Sequence, residues 1–231
     1  MPDFLNKENH LKYTLLNAKG CLNKLTIEEK NELVKHKSDI EFESGETIIK
    51  RGMDVNNILY LNEGLVKLEI SNDGTPCSLG LIEPHSFIGI ICCFAFENID
   101  FTATALEKSK VSFIDKKVFE NFIKTNGDFA LDLMKHMSGV SNAIFHRITT
   151  LSQKNIDGAL SIILLDFAKI YNSNSFIIPM VRKELANMLG YSKESVINTL
   201  SKFNKENIIK VSDRHIEILD LNKLQQISKL G

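Results

Sequence analysis

The sequence predicts an α+β chain in three parts: an antiparallel β-domain, a long helix and a C-terminal winged helix-turn-helix. Three observations predict it. Residues 185–201, LANMLGYSKESVINTLS, place small Ala186 four residues before Gly190 and apolar Val196 six beyond it. Residues 40–114 carry short β-rich runs punctuated by turn signals, and residues 116 to about 153 read as helix without an evident break.

Residues 9–18 read as a short helix, and Thr26-Ile27-Glu28-Glu29 is a capping box opening a helix to about Lys37. Strands follow at Ile40-Phe42, Thr47-Ile49, Ile58-Asn62, Leu65-Ser71, Cys77-Leu81, Phe87-Ile88, Asp100-Ala105 and Lys110-Asp115. Ser44-Gly45, Arg51-Gly52, Glu63-Gly64, Asn72-Asp73-Gly74 and Glu83-Pro84 separate them. Short strands at this frequency argue for an antiparallel barrel or sandwich, with a hairpin at Asn72-Asp73-Gly74.

The long helix carries a stripe at Met134, Met137, Ser141, Ile144, Ile148 and Leu151, spaced as in a coiled coil. Such a stripe either pairs with a second copy or packs on the helix's own β-domain. Its length favours pairing, since roughly 25 residues reach about 37 Å. Asn155-Ile156-Asp157-Gly158 interrupts the pattern as a hinge, and a helix from Ala159 to Tyr171 has an apolar side that packs under the last domain.

In that domain Ala186 permits close crossing of two helices, and Gly190 tolerates the positive φ of the turn. Ser192 caps the second helix, so Lys193, Glu194, Ser195 and Asn198 project from its first turns, where a recognition helix meets base edges. Ile208-Val211, the turn Ser212-Asp213-Arg214 and His215-Ile218 form the wing. From Arg182 to Arg214, seven basic residues face four acids in a chain of formal net charge −1, so Lys183, Lys202 and Arg214 join the candidate phosphate contacts.

At 231 residues and 43% hydrophobic the chain is long enough for a substantial core. No segment approaches the roughly 18 apolar residues of a membrane span, and the charged N-terminus lacks an apolar signal region, so a cytoplasmic location is expected. Cys21, Cys77, Cys92 and Cys93 have no CxxC spacing and fit a reducing compartment. No catalytic residues, no metal set and no phosphate loop are recognisable, so an enzyme is not expected.

The order of parts, with ILYLNEGLVKLEISNDG, PHSFIGI and LANMLGYSKESVINTL, resembles the Crp/Fnr superfamily of bacterial transcription regulators over about residues 25–225. The resemblance implies a cyclic-nucleotide-binding-type β-roll (jelly-roll) at residues 1–115, a dimerisation helix at 116–154 and a winged-helix DNA-binding domain at 155–231. It also implies a homodimer on palindromic double-stranded promoter DNA, contact with RNA polymerase, and control by a small-molecule effector. The family's base-reading glutamate falls on Glu194. Its neighbouring arginines fall on Lys193 and Asn198, and asparagine prefers adenine. Arg182, Ser192 and Ser195 match phosphate-contacting positions.

The departures concern the effector. The ribose-binding glutamate of cyclic-AMP-binding members is Ile90 here, and the phosphate-binding stretch reads Asp100-Phe101-Thr102. Burying a phosphodiester without a paired charge costs several kcal/mol, so cyclic AMP is not expected. Cys21 alone near the N-terminus does not support a four-cysteine [4Fe-4S] cluster. The implied pocket comprises Phe87, Ile88, Gly89, Ile90, Phe101, Thr102, Ile144 and Phe145. It suits an apolar ligand, a haem with His85, His146 or a cysteine as ligand, a thiol switch at Cys92-Cys93, or no ligand at all.

Overall fold

The computed structural model describes residues 19–72 and 75–231. The helix expected at residues 9–18 and the turn residues Asp73-Gly74 lie outside them. The chain forms two compact units, one ending at residue 144 and one running from 145 to 231.

In the first unit, α1 (Lys19–Leu22) leads to α2 (Ile27–Lys35). The capping box closes as expected: Thr26 Oγ1 accepts from the Glu29 N–H, and the Glu29 carboxylate accepts from the Thr26 N–H. Eight strands follow: β1 (Lys37–Phe42), β2 (Thr47–Ile49), β3 (Asn57–Glu63), β4 (Val66–Asn72), β5 (Thr75–Ile82), β6 (Ser86–Ile88), β7 (Thr102–Ala105) and β8 (Ser109–Asp115). They form two antiparallel four-stranded sheets, β1-β8-β3-β6 and β2-β7-β4-β5. β4 and β5 pair down to Asn72 opposite Thr75, which is the expected hairpin. Ile58, Leu59, Leu61, Val66, Phe101 and Val111 are fully buried in the core. A six-residue helix, α3 (Ile90–Ala95), sits between β6 and β7 in a stretch too short to show a helical period.

The helix expected from 116 to 153 is two helices, α4 (Lys116–Thr125) and α5 (Gly127–Ser152). Asn126 makes the break. Its N–H donates to the Phe122 carbonyl, ending α4, while its Oδ1 accepts from the Phe129 N–H, opening α5. Its Nδ2 donates to Glu29 Oε2 at 2.7 Å and to the Lys24 carbonyl at 3.1 Å. One short polar side chain thus satisfies the Phe129 N–H, which a continuous helix would have paired internally, and ties the break to Lys24 and Glu29.

The second unit contains the end of α5, then α6 (Ile156–Ile170), β9 (Ser175–Ile177), α7 (Arg182–Leu189), α8 (Lys193–Lys205), β10 (Ile209–Ser212), β11 (His215–Ile218) and α9 (Leu221–Leu230). β9, unexpected from the sequence, extends the wing hairpin to a sheet of order β10-β11-β9. Leu160, Ile163, Leu164 and Phe167 of α6 are fully buried, and α6 packs on α7, α8 and α9. Asn155 caps α6 through the Gly158 N–H, so residues 156–158 are its first turn; the break between helices is at 153–155.

Replacing Asn126 with alanine removes the α5 cap and the tie to Glu29. The stability loss should be about 1–2 kcal/mol, the cost of a lost N-cap, seen as a lower urea midpoint with unchanged slope.

Candidate functional site

Leu185, Ala186, Met188 and Leu189 of α7 are buried against Val196, Thr199, Leu200 and Phe203 of α8. Gly190, at φ 75°, ends α7 in the left-handed conformation the turn needs. Ser192 Oγ accepts from the Ser195 N–H at 3.1 Å and lies 3.0 Å from the Ser195 hydroxyl. Tyr191 donates its hydroxyl proton to the Lys154 carbonyl at 2.6 Å, fixing the turn to the segment before α6.

This seating exposes Lys193, Glu194, Ile197, Asn198 and Ser201 together on α8. Lys183 on α7 and Arg214 in the wing turn are also exposed. Three expected contacts are differently placed. Ser195 is half-buried and shares the cap with Ser192. Arg182 is half-buried, and its Nη2 donates to the Asp213 carbonyl at the wing turn. Burial lowers its pKa from the ordinary arginine value, opposed by the Asp213 charge, and its Nη1 is buried without a hydrogen bond. Lys202 Nζ lies 2.6 Å from Asp157 Oδ2, whose other oxygen accepts from Thr199 at 3.2 Å. That hydrogen bond holds the Lys202 pKa above its usual value. Sequence spacing gave no sign of this pair, because Asp157 approaches from a separate helix.

In the β-domain, Phe87, Gly89, Ile90, Phe101 and Ile144 converge on a cavity of about 80 Å³. Leu68, Leu79, Ile91, Cys92 and Val140 complete its lining, so sulfur is the sole heteroatom among these side chains. Gly89 has φ 67°, and a Cβ there would lie 2.0 Å from Cζ of the Phe101 ring. The aromatic ring therefore occupies space beside the bare Cα. Phe87 is held edge-on by Tyr60, Phe119 and buried His136 at centroid distances of 5.3, 5.6 and 5.9 Å. Desolvation lowers the His136 pKa from its ordinary value.

Three expected lining residues are elsewhere. Ile88 is fully buried in the sheet core. Thr102 Oγ1 accepts from the Arg51 N–H at 3.3 Å, and the Arg51 guanidinium pairs with Asp100 at 2.8 Å, both half-exposed. Phe145 is 74% exposed on the other side of α5. It joins Met134 (64%) and Ile148 (61%) in an exposed seam, with exposed Ser141 between them and Leu131 at its start. Met137 instead packs on the core, Ile144 faces the cavity and Leu151 is half-buried.

Two family models match the chain. A cyclic nucleotide-binding domain matches residues 39–126 and a Crp-like helix-turn-helix domain matches residues 160–227, together more than half of its length. The chain belongs to the Crp/Fnr family. It is similar to the anaerobic regulatory protein of Haemophilus influenzae, with 23% identity over 90% of this chain and 82% of the relative. The fumarate and nitrate reduction regulatory protein of Escherichia coli K12 is 22% identical over 90% of this chain and 84% of its own. A solved Crp/Fnr-family structure from Eubacterium rectale superposes with TM-score 0.75 at 20% identity, covering 90% of this chain and 97% of that one. The protein is thus a Crp/Fnr-type transcription regulator that binds DNA through its helix-turn-helix. Among the described residues no helix is long and apolar enough to cross a membrane.

Among the side chains the structure describes, Cys21 and Cys93 are free and buried, and Cys92 is free and half-buried. Desolvation raises all three pKa values, Cys21 to about 11 and Cys93 to about 12. A thiol that keeps its proton is a poor nucleophile, which counts against a Cys92-Cys93 switch. Mass-spectrometric mapping after treatment of native protein with a thiol reagent at pH 7.5 should find Cys21 and Cys93 unmodified. Both should be fully labelled in urea.

Proposed function

We propose that this regulator works as a homodimer on palindromic promoter sites, switched by a small uncharged apolar effector in the β-domain cavity. The observation that carries the reading is the exposed seam of α5. Leu131, Met134, Ser138, Ser141, Phe145 and Ile148 follow one another at alternating steps of three and four, the spacing of a two-helix seam. Pairing two copies along it generates a two-fold axis, and a two-fold protein reads a palindrome.

At the DNA, Glu194 accepts from a cytosine amino group and Asn198 reads adenine, while Lys183, Lys193 and Arg214 meet phosphates. Arg182 with Ser192 and Ser195 positions the helix start and the backbone. Lys202 contributes less to phosphate contact than its sequence position implies, because Asp157 already holds it. The regulator then contacts RNA polymerase from promoter-bound DNA in the cytoplasm.

The cavity supports this effector class. It offers no cation for a phosphate, so cyclic AMP does not fit. Its 80 Å³ is about half of the roughly 150 Å³ cavity that admits benzene, so a haem does not fit either. A small apolar molecule that prefers one of two dimer states shifts their populations.

The double variant Phe145→Glu/Ile148→Glu should sediment as a monomer and bind a palindromic site at least ~100-fold more weakly, because burying two unpaired charges costs several kcal/mol. A stable dimer would overturn the seam. Glu194→Ala should erase roughly 1–3 kcal/mol of discrimination at one base pair of each half-site, whereas Arg182→Ala weakens all sites alike; a uniform loss for Glu194→Ala would refute its base-reading role, and a loss for Arg182→Ala confined to particular base pairs would refute its positioning role. Small apolar molecules such as xenon should raise the thermal midpoint, cyclic AMP should leave it unchanged, and Ile144→Phe should abolish the rise.

A further inference from the structure

The inward side of α8 is Val196, Thr199, Leu200 and Phe203, all buried. Its outward side is polar apart from one residue. Ile197 is 40% exposed between Lys193 and Glu194 one turn before it and Ser201 one turn after it, next to Asn198. It edges a surface depression of about 240 Å³ together with Arg182, Leu200, Ser201, Asn204 and Val211. Asn204 Oδ1 accepts from the Val211 N–H at 3.0 Å, so the depression has a fixed floor joining helix and wing.

We infer that Ile197 is a specificity-determining residue that packs on the C5-methyl group of a thymine in the major groove. The inference rests on α8 being the helix that enters DNA. Lys193, one turn before Ile197, is exposed on the same helix, and Lys183 on α7 and Arg214 in the wing turn are exposed as well, which suits a polyanionic partner. On the major-groove edge of a base pair, the thymine methyl is the apolar feature. A β-branched side chain has few rotamers, so ordering it against one methyl sacrifices little conformational freedom. Glu194 and Asn198 then read hydrogen-bonding edges on either side, and Ile197 supplies the shape-selective contact between them.

The test begins with duplex sites enriched from a random pool by the full-length protein. Each thymine of the enriched site is then replaced singly by deoxyuridine, which removes only the methyl. One replacement per half-site should weaken binding roughly 3- to 10-fold, the scale of one buried methyl group. Ile197→Ala should bind the thymine and uracil forms of that position equally, and Ile197→Val should remain sensitive. A wild-type protein indifferent to every replacement, or an Ile197→Ala variant as sensitive as wild type, would overturn the assignment. So would insensitive Ile197→Val protein with native circular dichroism. If no site enriches at all, sequence-specific DNA reading itself fails, and the role of Ile197 falls with it.

Discussion

Phe129, Leu133 and Val140 are buried on one side of α5, while Leu131, Met134, Phe145 and Ile148 stand in water on the other. A helix apolar on opposite sides cannot satisfy both against a single β-domain. The inward side closes the core and, through Val140 and Ile144, forms a wall of the cavity. The outward side is left for a second molecule in the proposed dimer. Cavity and seam therefore meet at adjacent positions of one helix, Ile144 and Phe145. In the proposed dimer, a ligand that displaced Ile144 would act on a residue next in sequence to the seam residue Phe145.

The chemistry of the cavity follows from desolvation. A phosphate held there would need a buried cation, and the nearby guanidinium of Arg51 is already paired with Asp100 at the surface. Phe101 packs its ring beside Gly89, where any Cβ would collide with it. Filling this space with carbon favours apolar guests and penalises ions. The same kind of burial raises the pKa of Cys21, Cys92 and Cys93, which disfavours thiolate chemistry in this domain.

Local signals were legible in the sequence wherever one residue type satisfies one backbone need. Thr26 and Glu29 cap α2, Ser192 caps α8, and Gly190 makes the turn, whereas the Asn155 cap of α6 was read as part of a hinge. The break at Asn126 was hidden because the surrounding apolar pattern continues through it. The two sides of α5 were not separable for a related reason. Met137 and Ile144 are as apolar as Met134 and Phe145, and periodicity marks a stripe without saying what lies opposite it. Arg182 and Lys202 were read as free cations, yet their partners, the Asp213 carbonyl and Asp157, are 31 and 45 residues away. Ile197 looked like one more helix residue until the buried set of α8 was known. β9 and α3, at three and six residues, are too short to carry a period.

The anchoring of α8 has a consequence for the thermodynamics of its encounters. Its first turn is capped by Ser192, its middle is held by Asp157 through Thr199 and Lys202, and Asn204 ties its end to the wing. The turn before it is pinned by the Tyr191 hydroxyl. A segment so constrained surrenders little backbone freedom when it docks, since its ordering was completed during folding. In the proposed complex the remaining entropy cost of recognition would fall on the exposed side chains of Lys193, Glu194 and Asn198 and on the duplex, so sequences that bend easily would gain an advantage even at base pairs no side chain touches.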